Sequence, residues 1–483
     1  MQMPQRLSPR DLEFLTGETP STPRHIGTLE IFDAGLTYDD LRALVEERIA
    51  FVPRYRQRLR EVPGRLANPV WIDDVGFDLG FHVRRAALPS PGGPVQLRDL
   101  VSRIMSRRLD RHRPLWELYL IEGLEGGRVA VLSKSHQVLV DGITTVDLGQ
   151  VLLDSRPEPR ELGPDAWAPH RAPSPLGVVA GAVRESLTRP ATLVATGHSR
   201  AHGVLRAGGA VSHRAGAVAN ALANRRPARE SPVSAELSEQ RRLVTVRTCL
   251  EDYRTVRRAH GGSVNDVVLA TITGALRAWL TARGTPPSQM RHLRAMVPMS
   301  VIDEELEPTS LGTQVAGHLL QLPLAEASPV IRLHQVSYAF KAHRETGRAV
   351  AANRLVGIAG FAPTTFHALG ARVAAGNAHR TFHLTITNVP GPQFPLYAAG
   401  VEMQETYPVQ PLLPGQALAI GVTSYNGGVH YGITADHDAL PDVTLFAQCV
   451  KDSLEELVES TDDARRAPRG RGETVGSPPG LDP

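Results

Sequence analysis

The chain has 483 residues, with 53 Lys+Arg against 50 Asp+Glu, a formal net charge of +3, 42% hydrophobic residues and 21% charged residues. This is enough apolar material for roughly two or three cored domains, and it excludes a disordered chain, a coiled coil and a disulfide-rich scaffold. The near-balanced charge makes nucleic acid an unexpected partner. Only Lys134, Lys341 and Lys451 are lysine, so the Arg content reflects a compositional bias and a single Arg says little about function.

No window holds 18 consecutive apolar residues, so no segment is expected to span a bilayer. The opening MQMPQRLSPRDLEF lacks an apolar h-region and is not expected to be a secretory signal. Cys249 and Cys449, 200 residues apart, read as incidental buried thiols of a reducing compartment.

Residues 1–155 alternate strand-like and helix-like patterns. GTLEIF (27–32) reads as a strand, and YDDLRALVEERIA (38–50) as a helix with an acidic first turn. LRDLVSRIMSRRL (97–109) is a second amphipathic helix. LWELYLIEGL (115–124) and RVAVLSKSH (128–136) read as paired strands joined through EGG. Asp141-Gly142 then turns into a helix, ITTVDLGQVLL.

Residues 156–236 read as a linker, first Pro-rich, then basic and helical. Between 170 and 229 nine Arg face one acid, Glu185. That charge suits an anionic lipid surface, but a solvated helical connector is the favoured reading, because the apolar face is poor in anchoring aromatics.

Residues 237–460 form a second αβ unit. Ser263–Asp266 has capping-box spacing before VVLATITGALRAWL, whose apolar residues share one helical face. RHLRAMVPMSV (291–301) and HLTITNVPGP (383–392) read as strands, and VTSYNGGVHYGIT (422–434) as a hairpin turning at Asn426-Gly427. DVTLFAQCVKDSLEELVES is a closing helix, and residues 461–483 read as a disordered Pro/Gly-rich tail.

The chemistry concentrates in SKSHQVLVDG (133–142). His136 ends a strand, where an imidazole can face a cleft, although a lone His there is more often a structural hydrogen-bonder. SHQVLVDG resembles the HHxxxDG motif of the CoA-dependent acyltransferase superfamily. Within it, the bacterial wax ester synthase/diacylglycerol acyltransferases are the nearest likeness. LSPRDLEFLTGETPSTPRHIG (7–27), RPLWELYLIEGL (113–124), NDVVLA (265–270), RAMVPMS (294–300) and TNVPGP (387–392) resemble that family's blocks in the same order.

The resemblance implies an α/β (α+β) fold of two chloramphenicol-acetyltransferase-like αβ sandwiches joined by a helical linker. It implies transfer of a long-chain acyl group from acyl-CoA to diacylglycerol or a long-chain alcohol, in triacylglycerol or wax ester synthesis. Acyl-CoA is then a substrate, and neither a cofactor nor a metal is called for. The implied setting is cytoplasmic, with peripheral attachment to the inner face of the membrane or to a lipid-droplet surface. In the family the second His of the motif removes the hydroxyl proton, which demands a neutral imidazole near pH 7.

Here the second position is Gln137, and a carboxamide can only donate and accept hydrogen bonds. Adjacent residues on a strand point to opposite faces, so His136 should face away from a cleft that Gln137 faces, unless a bulge re-aims it. By the same analogy Asp141 is structural, and Gly142 permits the turn.

Asn265 is a candidate for stabilising the oxyanion, with a helix cap as its other reading; Asp266, Ser300 and Asn388 are candidates for lining the channel. His82 reads as a strand-surface residue. His437 lies between two acids without a partner cluster for a metal. Two other functions stay open: a weakened member that binds acyl chains without turnover, and a carrier-dependent condensation-type enzyme.

Overall fold

The computed structural model describes residues 5–63, 67–139, 148–159, 231–301, 314–345, 363–376 and 382–466, together with 165, 167–170, 174 and 177. Asp141, Gly142, most of the basic linker (178–230) and residues 467–483 of the expected tail lie outside the described residues.

Two six-stranded sheets carry the molecule. The strands are β1 His25–Phe32, β2 Gln57–Arg60, β3 Val70–Asp73, β4 Val83–Ala87, β5 Trp116–Glu122, β6 Val129–His136, β7 Arg241–Cys249, β8 Arg294–Val301, β9 Gln314–Gln321, β10 Leu384–Pro390, β11 Tyr397–Ala398, β12 Val401–Val409, β13 Leu418–Tyr425 and β14 Gly428–Asp436. The first sheet has the order β11-β12-β1-β6-β5-β4, and the second β7-β14-β13-β10-β8-β9; β2 and β3 pair separately.

Most expected elements appear, shifted by a few residues. The helix expected over 97–109 runs from Pro94 to Ser106, starting at a Pro whose missing N–H costs nothing in the first turn. The Asn426-Gly427 hairpin is present, with φ of 41° and 78°, as a tight turn between right-twisted strands requires. The Ser263 capping box opens the helix Val264–Ala282, so Ser263 and not Asn265 is the cap. The closing helix runs from Val443 to Arg466, six residues into the stretch expected to be tail.

The two halves are not separate in sequence. β11 and β12 lie within residues 237–460 yet complete the first sheet, where β12 pairs antiparallel with β1. β12 crosses the second sheet on the way. Gly421 and Gly432 are cross-strand neighbours on β13 and β14. A Cβ on Gly432 would lie 1.7 Å from the Pro408 carbonyl oxygen, and one on Gly421 2.8 Å from Pro408 Cβ. The bare glycine pair therefore lets the backbone of β12 seat directly on the second sheet.

A second seam joins the edge strand β7 to the helix Pro94–Ser106: Leu243 N–H donates to Ser102 Oγ at 2.9 Å, and Arg241 N–H to Ser106 Oγ at 3.0 Å. Leu243, Tyr407 and Val409 then share one apolar core with Leu97, Val101 and Leu132 of the first half.

Two readings of surface residues are corrected. His82 is buried at the end of a short helix, donating from Nδ1–H to the Trp116 carbonyl at 2.8 Å and stacking on the Trp116 ring. The apolar rings around it made the interior cheaper than water. Cys449 is buried as expected, but Cys249 is exposed where β7 ends, beside the hairpin turn.

Candidate active site

β6 is buried on both faces, apolar over Val129–Leu132 and polar from Ser133 to His136, because helices cover one side of the first sheet and the core of the first half the other. Its regular antiparallel register with β1 runs from Phe32↔Val129 to His25↔His136. The strand stops at His136, and a short 3-10 turn begins at Gln137. No register shift interrupts this pairing, so His136 keeps the orientation that strand alternation gives it and stays on the same face as His25.

His136 is 1% exposed, with a hydrogen bond at Nδ1 and none at Nε2 among the described residues. The Val138 N–H donates to Nδ1 at 3.2 Å, which assigns the ring proton to Nε2. Nε2 faces the Glu18 carboxylate at 3.8 Å. Glu18 also accepts from Arg111 at 2.5 Å and from the Arg24 N–H at 3.1 Å. Burial works to raise the Glu18 pKa, but His136, Arg111 and the Arg24 N–H outweigh it and hold the carboxyl well below its ordinary range.

His25 donates from Nε2 to the Met105 carbonyl at 2.5 Å, and burial pushes its pKa well down, so the ring is neutral. Lys134, two residues before His136, donates from Nζ to the Ile104 carbonyl at 2.8 Å and the Arg107 carbonyl at 2.5 Å, at the C-terminal end of the Pro94–Ser106 helix. Burial lowers its pKa to about 8.

Gln137 is different. It is fully buried, its N–H donates to the Arg24 carbonyl at 2.9 Å, and its carbonyl accepts from Arg372 at 2.8 Å. Its side-chain Oε1 and Nε2 have no hydrogen-bond partner among the described residues. An unpaired buried amide costs about 1–3 kcal/mol, a cost a folded protein seldom carries without a use.

Arg372 sits on the helix Pro363–Gly376 of the second half. It also pairs with Asp11 and lies over the Phe14 ring, 4.9 Å from its centroid. It thus ties the Gln137 turn to the helix Pro9–Thr16 and to the opposite half of the molecule.

The same helix carries His367, five residues earlier and so about 7.5 Å along the axis. His367 is buried between the Thr387 hydroxyl at 2.7 Å and the Thr423 hydroxyl at 2.8 Å, and burial pushes its pKa down to about 3. Thr387 lies midway along β10, and Thr423 near the carboxyl end of its parallel neighbour β13. Ligands bind outside such strand ends in open αβ sheets. Asn388 follows Thr387 and donates from Nδ2 to Asn265 Oδ1 at 2.9 Å, joining two of the candidates expected from sequence.

Asp266 turns inward to its own cap, with Oδ2 accepting from the Ser263 N–H at 2.8 Å and the Ser337 hydroxyl at 3.2 Å. Ser300 pairs through its backbone with Val315 near the end of β8, and its side chain lies outside the described residues. His437 points to neighbouring Asp438 at 2.8 Å.

Sequence reasoning overlooked Glu18, His25 and Asp11, although all three lie in the LSPRDLEFLTGETPSTPRHIG stretch it singled out. Arg372 and His367 carried no motif, and only the packing of their helix reveals them.

Two αβ sandwiches with a crossing strand, and an HQxxxDG strand end where they meet, define an acyltransferase of the paired-sandwich class. The wax ester synthase/diacylglycerol acyltransferase catalytic domain matches residues 7–268, and the C-terminal domain of the same family matches residues 311–458. The chain belongs to the wax ester synthase/diacylglycerol acyltransferase family.

It is 44% identical over 261 residues to a probable diacylglycerol O-acyltransferase of Mycobacterium tuberculosis, covering 53% of this chain and 96% of that one. It resembles the solved wax ester synthase/diacylglycerol acyltransferase of Marinobacter aquaeolei VT8 with a TM-score of 0.64 and 26% identity, covering 95% of this chain and all of that one. The first condensation domain of the calcium-dependent antibiotic synthetase shares the fold, with a TM-score of 0.54, 14% identity and coverage of 96% and 97%.

Proposed function

We propose that this protein is an O-acyltransferase that moves a long-chain acyl group from acyl-CoA to the hydroxyl of diacylglycerol or a long-chain alcohol, and that the reacting position is the Gln137 turn, not His136. The carrying observation is the contrast between the two side chains. His136 accepts from the Val138 N–H at Nδ1, its one lone pair, while the protonated Nε2 stands 3.8 Å from Glu18 without a hydrogen bond, which leaves no lone pair for a substrate proton. Gln137 has a buried carboxamide with both polar atoms unpaired among the described residues.

In this reading the Gln137 N–H₂ donates to the thioester carbonyl as it gains charge, and Oε1 accepts from the acceptor hydroxyl. Preorganised donors of this kind are worth about 10²–10³ in rate. Asn265 and Asn388 supply neutral polar lining from the second half. Asp141 and Gly142 shape the turn by analogy with the family. Acyl-CoA acts as a substrate, and the reaction needs no cofactor.

Among the described residues no helix is long and apolar enough to cross a membrane. We place the protein in the cytoplasm, with peripheral attachment to the inner membrane face or to lipid droplets through the basic 170–229 stretch. Co-sedimentation with liposomes should then need anionic lipid and weaken with salt.

The test of the reaction is thiol release from palmitoyl-CoA with dipalmitoylglycerol or hexadecanol. Gln137→His should raise that rate by up to about 10²-fold, because it restores a positioned base. His136→Ala should lower stability and leave the surviving folded fraction active. Loss of turnover in a folded His136→Ala, with no gain in Gln137→His, would return the reacting position to His136.

A further inference from the structure

A base-catalysed acyl transfer needs a group that can take the hydroxyl proton, and the surroundings of Gln137 are instructive in this respect. The Nδ1 lone pair of His136 is taken by the Val138 N–H. Glu18 is held by Arg111 and Arg24, and Asp11 by Arg372 and the Ser8 hydroxyl at 2.6 Å. His367 is bracketed by two hydroxyls, and its low pKa leaves it little basicity. Arg372, the ion that touches the turn itself, is a permanent cation. Among the described residues these groups offer no lone pair to a substrate proton: on His136 the unbonded nitrogen is Nε2, which carries the ring proton, while the carboxamide at the base position has both polar atoms unbonded.

We infer that this site favours an acceptor that ionises on its own: an aryl hydroxyl, of the kind carried by long-chain alkylphenols, acylated in preference to an aliphatic alcohol. The inference rests on the reading that Gln137 faces the reacting atoms.

The chemistry balances without further reactants. The phenol loses its proton to solvent, and its oxygen attacks the thioester carbonyl. The C–O bond forms, the C–S bond breaks, and CoA leaves as a thiolate that takes a proton from water. The carboxamide suits this sequence, since its N–H₂ stabilises the oxyanion and nothing in the sequence asks it to accept a full proton. Arg372 and the Arg24 carbonyl hold the turn backbone in place while this happens.

A phenol-type hydroxyl ionises near ~10, and an aliphatic alcohol close to water's ~16. About one phenol in a hundred is therefore already ionised at pH 8, against a negligible share of the alcohol. Nucleophilicity falls with basicity at a Brønsted slope of about 0.4–0.5, as for thiolates, so it cancels only part of this advantage. A net preference of at least about 10²-fold in kcat/KM is expected, matching the low end of what a general base supplies to an alcohol.

The test is CoA release from palmitoyl-CoA by the full chain at pH 8, comparing a long-chain alkylphenol with hexadecanol and subtracting the enzyme-free rate. The expected result is faster transfer to the alkylphenol by about 10² or more. Gln137→His should then raise the hexadecanol rate and narrow the gap between the two acceptors. Gln137→Glu, which keeps the shape but loses the donor, should lower both.

Equal wild-type rates with the two acceptors would overturn this inference and leave the acyltransferase reading standing. No release with either acceptor, by a protein whose melting temperature still rises with palmitoyl-CoA, would overturn both. The wild-type comparison needs no variant to fold.

Discussion

The strand ends of the first half and those of the second are built from different materials. At the ends of β1 and β6 the side chains are ionisable: Glu18, His25, Lys134 and His136, with Arg111 reaching in. At the ends of β10 and β13 they are neutral: the Asn265–Asn388 pair, and His367 between Thr387 and Thr423. The charges on the first side are consumed by one another and by backbone carbonyls, so they fix geometry. The groups on the second side carry no charge to desolvate and are bonded to one another. Gln137 stands on the charged side but is neutral itself, with its side chain unspent.

The strongest way to break this juxtaposition is to separate the halves. Gly432→Ala drives a methyl group into the Pro408 carbonyl, and the crossing strand must shift or the hairpin distort. Overpacking against backbone is expected to cost about 3 kcal/mol. Denaturant unfolding would show this as a lower midpoint, whereas Gly427→Ala, whose added methyl would meet open space, should cost less despite the strained φ of 78°.

The charged side can be dismantled through Glu18. Glu18→Gln leaves Arg111 and His136 without their carboxylate and should cost about 2–3 kcal/mol at pH 7. The folded pKa of Glu18 lies below its unfolded value of 4.5. Its contribution is therefore complete above about pH 4.5 and is lost as pH falls below that value. Wild type and variant should converge in stability on acidification, and a constant gap down to pH 3 would contradict the sign.

Lys134 gives the opposite limb. Its folded pKa is about 8 against 10.5 unfolded, so the unfolded chain holds a proton that the folded chain has released. Stability should rise with pH between about 8 and 10, by up to about 2 kcal/mol. Lys134→Met should remove that slope, measured as the difference between the two proteins across the window.

The smallest effect belongs to the neutral side. Asn388→Ala and Asn265→Ala should each cost about 1 kcal/mol, and the double variant less than the sum, because one hydrogen bond is being removed twice.

Much of the fold was legible because local signals agreed with the global answer. The Ser263 capping box, the Asn426-Gly427 turn and the apolar run Val129–Leu132 of β6 are each fixed by residues within a few positions of one another. The destination of β12 was not legible. Its pairing with β1 joins residues nearly four hundred apart, and nothing in VEMQETYPV says which sheet it will complete.

The site divides in the same way. Strand alternation anticipated that His136 and Gln137 would part company, and the block resemblance singled out Asn265 and Asn388, which the fold joins by one hydrogen bond. Glu18 and Arg372 were hidden because their roles depend on partners 118 and 235 residues away, His136 and the Gln137 carbonyl. His82 was misread because a single exposed-looking His gives no sign of the Phe77 and Trp116 rings that enclose it.

The central claim is that position 137, and not His136, meets the reacting atoms. The most direct measurement is the pH dependence of kcat/KM for palmitoyl-CoA with hexadecanol, in wild type and Gln137→His. The account predicts no ionisation in the wild-type profile in the histidine range, and a new limb near ~6.5 in Gln137→His, with rate rising as the introduced imidazole loses its proton. A wild-type profile that already shows that limb, and loses it in a folded His136→Gln, would contradict the account and return the base to His136.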